Sequence, residues 1–353
     1  MSPQSEPQAE ARASVFASAP CRADLAGSTL DLWPLYLFHP GAVTLNFAIS
    51  VMTTCRITRR YGDSIRLRSL DTGRDETYPN FAALNAARSP AHVLAAKLVR
   101  YFAPEGGFEL ETNSESPAGA GIAGSSALMI ATTSALARFT GRKLDKESIR
   151  QIAQNVEAQI INVPTGCQDY YPALYGGVAS VHLEVAGIRR EAVPVAPEEI
   201  ERRFLLVYTG APRQSGINNW EVFKAHIDGD AKVSRNFERI SQIAQAMHRV
   251  ICAADWDEVA RLLQEEWKLR RANYKGISTP LIDRLTKSAQ RHGGRAAKVC
   301  GAGGGGCVVF MVHEDARERV SAALIKEGAR LLPFRVAQDG VNVTVSKKFA
   351  AGA

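Results

Sequence analysis

The stretch Ser114-Glu-Ser-Pro-Ala-Gly-Ala-Gly-Ile-Ala-Gly-Ser-Ser-Ala-Leu128 decides how the rest of this 353-residue chain is interpreted. Its glycines and the two hydroxyl residues that follow them lie close together, at Gly119, Gly121, Gly124, Ser125 and Ser126. From Ala127 onward the sequence predicts a helix that ends at Gly141. A glycine-rich turn before a helix leaves backbone N–H groups without intrahelical partners. Together with the positive end of the helix dipole, these donors favour an anion, most often phosphate.

The glycines alone leave two interpretations open, because small residues also allow a helix to pack closely against a sheet. The loop is not a Walker A motif, which needs a lysine where Ser125 stands. It is also a poor dinucleotide fingerprint, since no short Val/Ile run leads straight into it. A packing turn and a phosphate-binding loop therefore both remain.

The loop resembles the second motif of the GHMP kinases (galactokinase, homoserine, mevalonate and phosphomevalonate kinases), which reads P-x-G-x-G-L-G-x-S-S-A in the sugar-kinase branch. Ile122 replaces the leucine and Ala123 replaces a glycine, so the backbone conformation at Ala123 is an open question. The resemblance implies that this segment binds the phosphates of ATP, through Pro117, Gly119, Ala120, Gly121, Ile122, Ala123, Gly124, Ser125 and Ser126.

A second match lies near the N-terminus, where we expect a short strand followed by a turn that carries Arg22, Asp24 and Asp31. Such charges usually belong to a solvated loop. Here they resemble the motif A-P-x-R-x-x-x-A-G-x-x-x-D-L of heptose-7-phosphate kinases and fucokinases. The resemblance implies that Asp31 binds sugar hydroxyls, which a carboxylate accepts well. It also implies that Arg22 lies near the reacting oxygen.

Glu157 lies on a helix that the apolar spacing predicts over 144–161. A glutamate on such a helix is usually exposed. The GHMP resemblance instead implies that Glu157 and Ser126 hold Mg²⁺, a cation that takes oxygen ligands.

Asp169 follows Gln168 in a Gly-x-Gln-Asp turn, where an aspartate most often caps the turn. The segment resembles G-x-Q-D-x-Y of the sugar kinases, whose aspartate is the catalytic base. The resemblance therefore implies that Asp169 is the base and that Gln168 contacts the substrate. An aspartate near Arg22 is expected to be ionised and able to accept a hydroxyl proton.

The third GHMP motif is similar to the segment from Lys298 to Phe310. A flexible linker is the alternative, but predicted apolar strands at 296–300 and 307–312 flank the glycines. In the family this loop lies beside the nucleotide phosphates and the substrate, so we assign substrate contacts to Gly303 and Gly304.

The Thr-Gly-x-x-Arg-x-Ser pattern at 209–215 also resembles the heptose kinases and fucokinases. It makes Arg213 a candidate for bidentate phosphate binding, although an exposed loop arginine is the commoner finding. The residues that would complete this second anion site are Ser215, Asn218, Asn219 and Lys224.

Composition limits the function classes. Hydrophobic residues make up 46% and charged residues 22%, which is typical of a soluble globular protein. No apolar run is long enough for a membrane span, and the N-terminal segment has no apolar core of a signal peptide. Six cysteines without a C-x-x-C pair argue against a disulfide framework or a cysteine zinc site, and favour the cytoplasm.

The net charge of +7 raises the question of nucleic acid. The basic residues are scattered, with no basic run interleaved with aromatics, so we expect no nucleic-acid partner and no membrane partner. ATP and a sugar or sugar phosphate are the expected ligands. Whether the chain is a monomer or a homodimer stays open.

The remaining pattern predicts further helices at 89–102, 232–253, 256–270 and 279–292, and strands at 41–58, 64–69, 108–113, 204–210, 331–336 and 341–345. His92, in the first of these helices, is expected on the surface. The segment 188–199 is rich in Pro, Ala and Glu, and we interpret it as the separator of two halves.

Three family motifs occur in order, with two shorter matches between them. They imply an α+β, two-domain GHMP fold: an N-terminal domain like ribosomal protein S5 domain 2, and a ferredoxin-like C-terminal domain. We expect a disordered tail at 1–13 and domains at 14–199 and 200–353. The implied reaction transfers the γ-phosphoryl group of ATP, with Mg²⁺, to the anomeric hydroxyl of a sugar, foremost D-glycero-D-manno-heptose 7-phosphate. A kinase of free fucose, galactose or glucuronate, and a non-catalytic sugar-sensing relative, are the alternatives.

Overall fold

The computed structural model describes residues 13–212 and 217–346. The tail expected at 1–13 lies outside the described residues except for Ala13, and so do Arg213 and Ser215. Two sheets and eleven α-helices make up the described part of the chain.

The first sheet has eight strands and draws mainly on the N-terminal half. Its strands are β1 (Ser14–Ala26), β2 (Val43–Arg59), β3 (Ile65–Ser69), β4 (Arg74–Tyr78), β5 (Phe108–Ser114), β6 (Val178–Glu184), β7 (Gly187–Ala192) and β12 (Asn342–Val345). The order is β12-β1-β2-β5-β3-β4, and β6 pairs with both β2 and β7. Only β3 and β5 run parallel; the other pairs in this sheet are antiparallel.

The N-terminal half contains six helices: α1 (Phe81–Ala86), α2 (Val93–Phe102), α3 (Gly124–Phe139), α4 (Lys146–Ile161), α5 (Tyr170–Tyr175) and α6 (Pro197–Arg203). Of these, α1, α3 and α5 contact strands of the first sheet, α2 and α4 pack on α3, and α6 contacts the second sheet, described below. The central one, α3, contacts β1, β2, α2, α4 and α5 and is buried along most of its length. Its sequence is rich in Ala, Ser and Thr, whose small side chains allow neighbours to approach from every side.

The second sheet contains β8 (Phe204–Tyr208), β9 (Gly294–Val299), β10 (Cys307–Val312) and β11 (Arg330–Leu331), all antiparallel in the order β11-β8-β10-β9. Its helices are α7 (Ile217–Ile227), α8 (Ala231–Cys252), α9 (Trp256–Asn273), α10 (Pro280–Arg291) and α11 (Arg317–Lys326). Side chains at the N-caps fix where three of them begin: Asp230, Asp255 and Thr279 accept hydrogen bonds from first-turn N–H groups.

The two halves are joined at more than one place. Helix α8 of the C-terminal half contacts β1 and β2 of the first sheet. The last strand of the described chain, β12, pairs with β1, from Val15 opposite Val345 to Ser18 opposite Asn342. The expected division near residue 200 stays a prediction, and the structure adds that β12 lies in the first sheet.

Several local expectations were wrong. Arg22 and Asp24 are not in a turn, because β1 keeps pairing with β2 as far as Ala26, just before Gly27 at φ +82°. Helix α3 begins at Gly124, before Ala127, so both serines lie in its first turn. His92 is buried at the start of α2, where its Nε2 lies 2.9 Å from Thr112 Oγ1, and burial lowers its pKa.

Other differences come from weak or overlooked patterns. Segment 188–199 does not merely separate the halves, since β7 pairs with β6 as a hairpin. The strand predicted over 331–336 shortens to Arg330–Leu331, with a single further bridge from Val336 to Ile49. Strands β4 and β6 and helices α1, α5, α6 and α7 were not predicted. The α+β class of the fold is confirmed.

Candidate active site

A cavity of about 340 Å³ lies where the two halves meet. Its wall comes from β1 and the loop after it, the glycine-rich loop before α3, α4, the turn before α5, and the loop after β9. The lining residues include most of the predicted site: Arg22, Asp31, Pro117, Gly119, Ala120, Gly121, Ala123, Gly124, Ser125, Ser126, Glu157, Gln168 and Asp169.

The glycine-rich loop turns sharply before α3. Gly119 and Gly121 have φ values of +66° and +74°, a region that glycine adopts without steric cost. Ala123 is also left-handed, at φ +61° and ψ +31°, which answers the question that its replacement of a glycine raised. Ala123 is the N-cap of α3 and offers no side-chain acceptor. The first N–H groups of α3 are therefore uncapped at the cavity wall, as an anion site requires.

The third motif holds this loop in place. The backbone N–H of Cys307 donates to Ala120 O at 2.6 Å. A Cβ atom on Gly306 would lie 2.6 Å from the same oxygen, and Gly306 has φ +75°. Glycine is needed at this position because the two loops approach each other backbone to backbone.

Arg22 connects three parts of the site. Its Nε and Nη2 donate to Asp169 Oδ1 at 2.9 and 2.7 Å. Its Nη1 donates to Gly121 O at 2.9 Å and to Cys300 O at 2.8 Å. Burial disfavours the charged guanidinium, but the charges of Asp169 and Asp24 outweigh it and raise the pKa of Arg22.

Asp169 is the more exposed member of the Arg22–Asp169 ion pair, since 28% of its side chain is exposed and it lines the cavity. Both contacts from Arg22 use Oδ1, and no described residue donates a hydrogen bond to Oδ2. Asp169 stands at the N-cap of α5 without capping it, so the turn-cap interpretation is not what the structure shows.

Glu157 is buried and surrounded by hydroxyl groups. It accepts hydrogen bonds from Ser125 Oγ at 2.7 Å, Ser126 Oγ at 2.9 Å and Tyr170 O–H at 2.6 Å. Burial raises its pKa, while the three hydroxyls oppose that shift. Glu157 is therefore not exposed, although a glutamate on a surface helix usually is. The carboxylate and Ser126 form a set of neighbouring oxygens at the cavity wall.

Asp31 is buried beside the turn that carries Asp169. Its Oδ2 accepts a hydrogen bond from the backbone N–H of Gln168 at 3.0 Å. Only a glycine fits at position 166, because a Cβ atom there would lie 1.9 Å from the same oxygen. Burial, and secondarily the charge of Asp169, raise the pKa of Asp31 to about 6. Gln168 Oε1 is also buried and accepts no hydrogen bond from any described residue.

A buried group of four charged residues borders the cavity and was not predicted. It consists of Asp24 on β1, Glu266 and Arg270 on α9, and Lys298 on β9, all with side chains at most 4% exposed. We call this group the ion cluster. Lys298 Nζ lies 2.5 Å from Asp24 Oδ2 and 3.2 Å from Glu266 Oε1.

Arg270 extends the ion cluster to the cavity. It donates to Ser28 Oγ and, at 2.9 Å, to Gly301 O. The sequence carries two weak signals for the ion cluster: a lysine at the start of the third motif, and acidic residues whose burial the sequence does not reveal.

Some predicted residues do not face the cavity. Ile122 is fully buried behind the loop. Gly303 and Gly304 pack against the 276–277 turn and are not among the lining residues, whereas Gly301 and Ala302 are. Asn218 donates to Gly276 O and Ala302 O, and exposed Lys224 pairs with Asp228. Of the described residues proposed to assist Arg213, only Asn219 lines the cavity.

Comparison with known proteins identifies the family. The model for the GHMP kinases N-terminal domain matches residues 89–177, and the model for the GHMP kinases C-terminal domain matches 243–330; together they cover half of the chain. The chain belongs to the GHMP kinase family. The prediction from the three motifs is thereby confirmed, together with the two-domain GHMP fold and an ATP-dependent phosphotransferase.

Individual relatives agree with the sugar-kinase branch. The D-glycero-alpha-D-manno-heptose 7-phosphate kinase of Campylobacter jejuni is 27% identical over 91% of this chain and 96% of its own length. The bifunctional fucokinase/GDP-fucose pyrophosphorylase of Arabidopsis thaliana is 22% identical over 88% of this chain, which spans only 31% of that protein.

Among solved structures, a D-glycero-D-manno-heptose 1-phosphate kinase from Bacteroides thetaiotaomicron superimposes with a TM-score of 0.76 at 21% identity, covering 95% of this chain and all of that one. At that identity the likeness concerns the fold. Across the described residues of this GHMP kinase, no helix is long and apolar enough to cross a membrane.

Proposed function

We propose that this GHMP kinase phosphorylates the anomeric hydroxyl of a sugar, with D-glycero-D-manno-heptose 7-phosphate as its substrate. One observation carries the proposal: a single cavity joins an uncapped helix N-terminus, suited to ATP phosphates, to an aspartate held by a buried arginine. Phosphoryl transfer depends mostly on positioning and charge neutralisation, and this cavity supplies groups for both.

In this proposal Asp169 is the general base. Its Oδ2 accepts the proton of the sugar hydroxyl as that oxygen attacks, while Arg22 keeps Oδ1 occupied and fixes the carboxylate. The guanidinium also lies next to Gly121 of the phosphate loop, where negative charge develops during transfer.

Asp31 and Gln168 bind the sugar in this proposal. An ionised Asp31 accepts two hydroxyl donors, and the buried Gln168 Oε1, which no described residue satisfies, accepts a third. Buried acceptors of this kind discriminate strongly against ligands that lack the matching hydroxyl.

Mg²⁺ fits the oxygen set of Ser126 and Glu157. A buried carboxylate whose pKa is raised by burial gains from a cation beside it, and hard oxygen donors are what Mg²⁺ takes. The cation would supply charge neutralisation at the transferred phosphate. We expect Ser126→Ala and Glu157→Gln each to raise the Mg²⁺ concentration needed for half-maximal activity. A magnesium titration that superimposes on that of the wild type would contradict the assignment.

The phosphorylated heptose is the least constrained part of the proposal. It is supported by the motif at 209–215 and by the Campylobacter jejuni relative, named as a heptose 7-phosphate kinase. A sugar 7-phosphate needs a second anion site away from the ATP phosphates, and Arg213 with Ser215 and Asn219 is our candidate. Arg213 and Ser215 lie outside the described residues.

A coupled ADP-release screen over heptose 7-phosphate, fucose, galactose, glucuronate and mannose tests the substrate. We expect heptose 7-phosphate to give by far the highest kcat/KM. Arg213→Ala should raise KM for it and leave KM for ATP nearly unchanged, while Arg291→Ala, an exposed arginine on α10, should change neither. Preference for a free sugar would overturn the heptose assignment and favour a fucokinase-like enzyme. No turnover of any sugar with ATP would favour a sugar-sensing role.

A further inference from the structure

Three potential metal ligands meet away from the cavity: His182 on β6, Glu191 on β7 and His248 on α8. None of them is a lining residue of the proposed active site. Among the described residues this is the one group of three or more His, Cys, Asp or Glu side chains whose ligand atoms all lie within 4.8 Å of one another. We call it the histidine cluster.

The contacts within the histidine cluster have the spacing of ligands around one ion. Glu191 Oε2 lies 3.0 Å from His182 Nε2, and Glu191 Oε1 lies 3.6 Å from His248 Nε2. Tetrahedral ligands held at about 2.0–2.1 Å from Zn²⁺ are separated from each other by about 3.3 Å.

The orientation of His182 is a second, independent observation. Its Nε2 is buried and makes no hydrogen bond within the described residues, although a carboxylate oxygen is only 3.0 Å away. A hydrogen-bonded pair would align the N–H with that oxygen. Because the two groups are close but not aligned as a hydrogen bond, Nε2 remains available as a metal ligand.

The other ring nitrogen of His248 is already engaged, because its Nδ1 lies 2.7 Å from Ser180 Oγ. Such an outer contact fixes the ring and leaves Nε2 for the metal, as is usual for ligating histidines. Arg189 competes for the site, since its Nη1 donates to Glu191 Oε2 at 2.9 Å. Its side chain is 54% exposed, so it can move away when a cation binds.

We propose that His182, Glu191 and His248 form a site for Zn²⁺ or a similar divalent transition metal, with water completing the coordination. Two imidazoles and one carboxylate suit such ions better than Mg²⁺ or Ca²⁺. The site ties α8, from the C-terminal half, to the β6–β7 hairpin of the first sheet. It is a structural clamp between the two halves, separate from the magnesium site proposed above. Cys252 follows His248 by one helical turn, but it is not in the group of ligand atoms within 4.8 Å.

Isothermal titration of the metal-free, full-length protein with ZnCl₂ in excess Mg²⁺ tests the proposal. We expect one equivalent of Zn²⁺ to bind to the wild type, and His182→Gln or His248→Gln to weaken binding at least about tenfold, since even outer-shell changes have that effect. His313→Asn, an exposed histidine elsewhere, and Glu157→Gln, in the proposed magnesium site, should bind like the wild type. Unchanged affinity in both cluster variants would overturn the proposal. Loss of the site in Glu157→Gln would place the ion elsewhere and also overturn it.

A thermal melt distinguishes a ligand role from a packing role. Zn²⁺ should raise the melting temperature of the wild type and of His313→Asn, because a ligand that binds only the native state stabilises it. It should leave the melting temperature of His182→Gln and His248→Gln unchanged. An equal zinc-dependent rise in the cluster variants would contradict a clamp at this position.

Discussion

Two groups of opposite charges border the cavity, and β1 contributes to both from neighbouring positions on one face. Arg22 holds Asp169, whose side chain is 28% exposed to the cavity. Asp24, two residues further on, faces Lys298, and neither side chain is exposed at all. Arg22 also reaches the C-terminal half through Cys300 O, as Asp24 does through Lys298. Of the two groups, only the first has a carboxylate that is exposed to a ligand in the cavity.

The difference shows why burial separates a reactive carboxylate from a structural one. A base must reach a substrate proton, which a partly open Asp169 can do and a sealed Asp24 cannot. The ion cluster instead matches two acids with two bases whose side chains are at most 4% exposed, so removal of one partner leaves a buried charge uncompensated. Substitutions in the first group should therefore change turnover, and those in the second should change stability.

The largest effect is expected from Asp169→Asn. It should lower kcat by ~10²–10⁴ with little change in ATP affinity, because it removes the proton acceptor and keeps the shape of the side chain. Steady-state kinetics with heptose 7-phosphate measure this. The amide oxygen can still accept from Arg22, so the urea midpoint should fall less than for a substitution in the ion cluster. Asp228→Asn, an exposed aspartate on the α7–α8 turn, is the control. Near-wild-type turnover would show that Asp169 is not the base.

Lys298→Met should mainly lower stability, whereas Asp169→Asn mainly lowers turnover. Removing the ammonium leaves Asp24 and Glu266 buried with only Arg270 to compensate them, which costs about 3–5 kcal/mol of the free energy of unfolding. Urea denaturation measures it, and adding Asp24→Asn should restore part of the loss. A stability equal to that of the wild type would mean that the ion cluster contributes little.

Asp31, a third carboxylate beside the cavity, should make stability depend on pH. Its pKa of about 6 lies above the ordinary 3.8, so between these values the native state holds a proton that the unfolded state has lost. The contribution of Asp31 to stability is therefore present below about pH 4 and falls as pH rises to about 6, by about 3 kcal/mol. Asp31→Asn should remove this slope.

Sugar binding should have the opposite pH dependence, because only the ionised Asp31 accepts two hydroxyls. We expect KM for the sugar, but not for ATP, to rise as pH falls below about 6. If the ratio of KM for the sugar to KM for ATP stays constant from pH 8 to pH 5, the role of Asp31 is contradicted.

The smallest effect concerns Ala123. A left-handed alanine costs about 1–2 kcal/mol, whereas glycine accepts this conformation but loses more chain entropy on folding. Ala123→Gly should therefore leave stability unchanged or raise it by up to about 1 kcal/mol, with unchanged KM for ATP. Ala127→Gly, inside α3, is the matched control and should destabilise. A loss of stability at position 123 would show that the conformation is not strained.

The sequence predicted the features that depend on residues close to one another in the chain. The first two motifs and the Gly-x-Gln-Asp segment singled out the glycine-rich loop, Arg22, Asp31 and Asp169, because each lies in a short run with characteristic spacing, and these residues line one cavity. Glu157 was assigned from the family resemblance alone. The major helices and most strands followed from apolar periodicity.

What the sequence did not predict depends on contacts between distant positions. Asp24 and Lys298 are 274 residues apart, and no spacing rule relates them. His182 and His248 likewise meet only through packing of α8 on the first sheet. The burial of His92 also depends on tertiary contacts, and so does the end of β1 at Ala26 rather than before Arg22.

The most direct test of the account is the product formed from heptose 7-phosphate and Mg·ATP by the wild-type protein, examined by ³¹P and ¹³C NMR. We predict a second phosphate resonance, with phosphorus coupling at the anomeric carbon, and one ADP released per phosphate transferred. The same reaction with Asp169→Asn should give the signal only very slowly. A phosphate attached to any other carbon, or ADP released without a phosphorylated sugar, would contradict the account.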